Sequence, residues 1–125
     1  MSHSSKATVD LALAFAGFGL LVTSVLLLWR DNALLLIITC LECALALLRW
    51  HDGVDISSIL VIGVLGSLAE VLFVRSGVWR YTNPSVFGLP MWFPFAFGTT
   101  GLMGQRLSRS ISSVLASRTS ADTAR

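Results

Sequence analysis

From Leu11 to Trp29 the chain runs nineteen residues without a charged side chain, closed at either end by Asp10 and Arg30. A helix rises ~1.5 Å per residue, and about 20 apolar residues cross the hydrocarbon of a bilayer. This one run is long enough to span, and it limits the folds open to the rest of the chain. A secretory signal core is shorter, about 7–15 residues, and ends at a small-residue cleavage site that is not evident here. The run therefore reads as a retained helix. Its small residues Ala12, Ala14, Ala16, Gly17 and Gly19 suit close helix packing in lipid.

The same pattern repeats downstream. Asp31-Asn32 is a very short turn, which returns a second helix antiparallel to the first. Predicted helices cover about 9–29, 33–50, 56–74 and 91–107. A polar segment, 1–8, precedes them, and a Ser/Thr/Ala/Arg-rich tail, 108–125, follows and is expected to be exposed and partly disordered. The fold class expected is all-α, a polytopic integral-membrane four-helix bundle. Charged residues make up 13% of the chain, against about 25% in a soluble domain. The termini and the 49–55 loop carry Lys6, Arg49, Arg106, Arg109, Arg118 and Arg125; the opposite side carries Arg30, Arg75 and Arg80. That asymmetry predicts both termini in the cytoplasm. The membrane expected is a bacterial inner membrane, or the endoplasmic reticulum in a eukaryote. A formal charge of +2 gives no electrostatic footprint for nucleic acid.

Few residues carry chemistry. Glu70 shares a helical face with Gly63, Gly66 and Ser67 and lies about one turn below the end of its helix. It reads either as a polar site for a ligand headgroup or proton, or as a carboxylate satisfied by Arg75, Arg80 or a loop N–H. Glu42 lies deeper, on a face with Thr39, Ala46 and Arg49; it reads either as a lone intramembrane carboxyl that is simply protonated or as a site for proton coupling. Cys40 and Cys43 stand at helical i, i+3 spacing, with Cβ atoms about 5–6 Å apart, too far for a disulfide at about 3.5–4.5 Å; they read as small packing residues. His3 and His51 have no clustered carboxylates, so no metal is expected. Gly98, Gly101 and Gly104 lie within an apolar helix and read as a close-packing face.

The stretch from Arg75 to Leu107 gathers Trp79, Tyr81, Trp92 and all three prolines, Pro84, Pro90 and Pro94. Aromatics of this kind sit at the lipid–water boundary. Pro84 and Pro90 keep the segment non-helical, so it folds back over the bundle. Trp79, Tyr81 and Trp92 are expected to line or lid an amphiphile site with Glu70 beneath, the glycine-lined face leaving room for a tail between the third and fourth helices.

Gly77-Val-Trp-Arg-Tyr81-Thr-Asn-Pro84, Trp92-Phe-Pro94 and Phe97-Gly98-Thr-Thr-Gly-Leu-Met-Gly104-Gln-Arg106-Leu107 resemble the last two helices of the Insig family. The closing Gly-Gln-Arg-Leu swaps two residues of that family's Gly-Arg-Gln-Leu. Leu48-Arg-Trp50-His-Asp52-Gly53 is similar to its Trp-rich segment ending in Asp, without the basic residues that follow there. The resemblance covers about 35 residues and would match this chain to the last four of six helices. It implies a non-enzymatic protein without a cofactor that binds a sterol, an isoprenoid or another lipid between helices. Trp50 and Asp52 join the candidate ligand-binding set on this ground. Another membrane protein is a possible partner, and so is a second copy of the chain. Two other classes stay open: a membrane enzyme acting on a lipid or isoprenoid with Glu70 as acid, and a small proton-coupled transporter using Glu42 or Glu70.

Overall fold

A computed structural model describes residues 2–123. It has four helices: α1 His3–Leu28, α2 Asn32–Arg49, α3 Gly53–Arg75 and α4 Phe93–Thr123. Three of them, α1, α2 and α3, contain stretches long and apolar enough to cross a membrane.

Side-chain caps fix where the helices begin. The Asp31 carboxylate accepts Leu34 N–H at 2.9 Å and starts α2 after a connection of only three residues, 29–31. Asp52 accepts the N–H groups of Val54 and Asp55, while Asp55 accepts that of Asp52, a reciprocal capping box. This box moves the start of α3 from the predicted 56 to Gly53. Pro94 stands at the second position of α4, where its missing N–H would have had no intrahelical partner.

The largest departure from expectation is the tail. Residues 108–123, expected to be irregular, continue α4 without a break. No glycine or proline follows Gly104 to stop the helix. Ser110 is buried and Leu107 and Val114 are half-buried, so one stripe of the extension faces the protein. At the other end, α1 begins at His3 rather than about Val9, capped by the Ser2 hydroxyl.

The last helix is the centre. α4 packs against α1, α2 and α3, most extensively against α3; α1 and α2 also pack together, while α3 has no comparable face with either. Glycines set the α3–α4 spacing. A methyl group on Gly98 would lie 2.9 Å from the Ile59 carbonyl oxygen, and one on Gly63 would lie 3.1 Å from that of Pro94. The Phe97 ring fills the notch at Gly66, and Ile62 fills the one at Gly101. Gly104, expected on this packing face, meets nothing within 4 Å.

Two apolar clusters stack along the molecule. At the end holding the 29–31 turn and the 76–92 loop, the loop end, Leu21, Leu35, Leu89, Trp92, Phe93 and Ala96 pack together. At the opposite, termini end are Ala14, Ala46, Trp50, Leu102 and Met103. Much of the remaining apolar surface points outward: on α3 alone Leu60, Val61, Ile62, Val64, Leu65, Leu68 and Leu72 are exposed. Exposed apolar area this extensive is compatible with a membrane protein and also with a surface for a protein partner.

Candidate functional site

At the end of α3 the chain turns through Gly77, at φ +76°. Val78 N–H bonds Phe73 C=O at 3.0 Å and Gly77 N–H bonds Val74 C=O at 3.1 Å, the paired closure of a Schellman motif. The reversal brings Trp79 back onto α3, where its ring lies 5.1 Å from that of Phe73. Trp79 Nε1 and Tyr81 OH then both donate to Glu70 Oε1, each at 2.6 Å. Glu70 forms no ion pair with Arg75 or Arg80 among the described residues. The carboxylate is instead held by the two aromatic donors, and Oε2 has no hydrogen-bond donor among the described residues. Burial, and then the bond to Glu70, push the Tyr81 phenol above its ordinary value of 10.0.

Trp92 serves a neighbouring node. Its Nε1 donates to Asn32 Oδ1 at 3.1 Å, and Asn32 Nδ2 donates to Asn83 C=O and Ser85 Oγ. Asn83 in turn donates to Arg30 C=O. This web fastens the 76–92 loop to the α1–α2 turn. Tyr81 joins the two nodes, since its ring meets Phe93 edge-on at 6.0 Å and Phe93 packs beside Trp92.

Two cavities border this region. One, of about 600 Å³, runs along α3 from Ile59 to Val71 and is closed on its far side by Val86, Phe87, Leu89, Pro90 and the first turn of α4. Ser67 is its only hydroxyl, already donating to Gly63 C=O at 2.6 Å. The other, of about 240 Å³, lies between α1 and α4, with Tyr81 and Trp92 in its wall. Glycine contacts close the α3–α4 seam at Gly63 and Gly98, and Phe97 packs at Gly66; the space between α3 and α4 lies beside that seam, where the larger cavity is lined by Gly63 and Ser67 of α3 and by Pro94 and Phe95 of α4. Room for a tail lies on that flank.

The hairpin that walls the larger cavity is strained. Val86 and Leu89 pair across a turn whose central residues, Phe87 and Gly88, sit at φ +51° and +84°, the pattern of a type I′ turn. A phenylalanine held at positive φ costs about 1–3 kcal/mol, and this residue is 71% exposed.

Trp50 and Asp52 lie elsewhere, at the other end of α3, some ~27 Å from Glu70 by helical rise. There Trp50 Nε1 donates to Asp10, which also receives Arg49 at 2.6 Å. Arg106 from α4 binds the buried Asp55 through Nε at 2.7 Å and through Nη2, and reaches Asp52 at 3.1 Å; Arg109 reaches Asp52 at 3.0 Å. Arg106 also lies over the Trp50 ring, 5.8 Å from its centroid. The Asp55 N–H, with Arg109 and Arg106, holds the Asp52 carboxyl below its usual 3.8, at about 2. These groups satisfy one another, which is the signature of a helix clasp. Asp10, Asp55 and Asn32 lie outside the sequence-derived candidates; the Asp52-Gly-Val-Asp55 spacing is the one local signal, a capping box, that points to Asp55.

Glu42 is buried on α2, with one oxygen accepting from Ser24 Oγ at 2.7 Å and the other unpartnered. Cys40 and Cys43 are free thiols. No group of three or more metal-ligating side chains occurs among the described residues. No protein-family model, curated protein or solved structure matches the chain.

Proposed function

We propose that the chain is an integral membrane protein that holds an amphiphile, a sterol- or isoprenoid-like lipid, without transforming it. In this reading α1–α3 and the first half of α4 span the bilayer, with both termini cytoplasmic. The observation that carries the reading is the cavity of about 600 Å³ along α3. Its size falls within the range of small-molecule sites, about 300–1,000 Å³. Its wall is almost wholly apolar, which suits a hydrocarbon tail. Val71 in that wall is the sequence neighbour of Glu70, so the polar end of the ligand would lie at the level of the Glu70–Trp79–Tyr81 node. Glu70, Trp79 and Tyr81 do not themselves line this cavity, so a headgroup would reach past its end to meet Glu70 Oε2. The similarity of residues 77–107 to the Insig family supports the same reading.

Lipids co-purifying with the protein, identified by native mass spectrometry, test it. Leu68→Trp fills the cavity from α3 and should release the bound amphiphile while leaving thermal unfolding of the lipid-free protein near the parent's. Glu70→Gln should weaken binding by about 5–150-fold, the equivalent of one buried hydrogen bond at ~1–3 kcal/mol. Equal lipid occupancy in both variants would place the site elsewhere. Chemical conversion of the co-purified lipid on incubation would favour a membrane enzyme with Glu70 as acid.

A further inference from the structure

We propose that Glu42 is a proton-binding site in the middle of the helix assembly, occupied as a neutral carboxylic acid that donates its hydrogen to Ser24. The case rests on a count of hydrogens and stands apart from the amphiphile reading. Ser24 Oγ lies 2.9 Å from Leu20 C=O and 2.7 Å from Glu42 Oε1. A serine has one hydrogen to give. If Glu42 is a carboxylate, both neighbours are acceptors, and one of these two short contacts has no proton in it. Glu42 Oε2 is then a second bare acceptor, enclosed and without a donor. One added proton repairs the arrangement. Glu42 Oε1–H donates to Ser24, Ser24 donates to Leu20 C=O, and Oε2 becomes an uncharged carbonyl oxygen.

The surroundings supply no alternative neutraliser. The Glu42 residue is 9% exposed. On α1 no titratable side chain occurs between Asp10 and Arg30, and on α4 none occurs from Phe93 to Gln105. On α2 itself only Cys40 and Cys43 are titratable before Arg49. α3 makes no substantial face with α2. An ionised carboxylate there would be a buried charge with no counter-ion, the state proteins avoid by taking up a proton. The level is also polar across the assembly. Thr39, Glu42 and Cys43 separate the two apolar clusters on α2, and Thr99, between Ala96 and Leu102 on α4, holds a fully buried hydroxyl with no partner. The Glu42–Ser24 bond joins α1 to α2, so the proton lies at a contact between helices.

Infrared spectroscopy of the full chain reconstituted at neutral pH tests the assignment. A protonated-carboxyl C=O band should be present in the parent, lost in Glu42→Gln and kept in Glu70→Gln. A parent spectrum unchanged by Glu42→Gln overturns the proposal. Should that variant fail to fold, dicyclohexylcarbodiimide applied to the parent gives an independent readout. A carboxylic acid adds across its C=N bond, with the acid proton passing to nitrogen, and leaves a mass adduct on the α2 peptide. The adduct is expected at Glu42 and insensitive to sodium chloride. Absence of the adduct overturns the proposal, and so does protection by sodium, which would assign a metal cation in place of the proton.

Discussion

The carboxylate of Asp55, fully buried at the start of α3, is gripped by Arg106 of α4 through two guanidinium nitrogens. Removing one partner of such a pair leaves an uncompensated buried charge. Arg106→Ala is expected to lower stability by about 3–5 kcal/mol, measured as thermal unfolding in detergent micelles. Arg118→Ala, on the exposed extension of α4, is expected to stay within about 0.5 kcal/mol of the parent. Equal effects from the two would show the clasp to be inert.

Acid should loosen the same end of the molecule. The folded state holds the Asp52 carboxyl at about 2, below its usual 3.8. The unfolded chain therefore binds the proton more readily. The stability that Asp52 contributes is complete above 3.8 and is lost as the pH falls towards about 2. Asp52→Asn should flatten that part of a stability–pH curve; an unaltered slope would assign the acid sensitivity to other carboxylates.

Tyr81 is the one tyrosine in the chain, so phenolate absorbance reports it alone. Burial and the Glu70 bond hold its proton, and ionisation is expected well above 10.0. Glu70→Gln removes the neighbouring negative charge and should lower the midpoint, leaving the part due to burial. A parent midpoint at the ordinary value would mean that the Tyr81–Glu70 bond does not form.

The glycines of α4 should differ sharply in tolerance. Gly98→Ala drives a methyl group against the Ile59 backbone at 2.9 Å, for an expected loss of about 1–3 kcal/mol. Gly104→Ala meets nothing within 4 Å and should gain up to ~1 kcal/mol from helix propensity. Urea or thermal unfolding of the two variants side by side decides the matter.

Much of the helical layout was legible because long uncharged runs with charged ends leave few alternatives. Boundaries slipped where side-chain caps decide them, as Asp52 and Asp55 do for α3. The α4 extension is hidden in composition, because serine and arginine are typical of loops, although Leu107, Ser110 and Val114 keep helical spacing. Glu70 could be placed beneath the aromatic loop because it is the one carboxylate near that end of α3. Its partners could not, since only the reversal at Gly77 turns Trp79 and Tyr81 towards it. Only the family resemblance joins Trp50 and Asp52 to Glu70; counting residues along α3 separates Asp52 from Glu70 by ~27 Å. The Asn32–Trp92 web joins segments sixty positions apart, and local sequence carries no sign of it.

That α4 is the hub has a consequence for how the chain is made. A ribosome delivers helices in order, so the element that α1, α2 and α3 all pack against emerges after them. α1 and α2 can pair as soon as both exist. α3 has its one extensive partner in α4 and must wait alone, with its glycine notches at Gly63 and Gly66 unfilled. Assembly is therefore a closing step rather than a gradual one, and a chain released before α4 is complete would leave a helix pair and an orphan for quality control to clear.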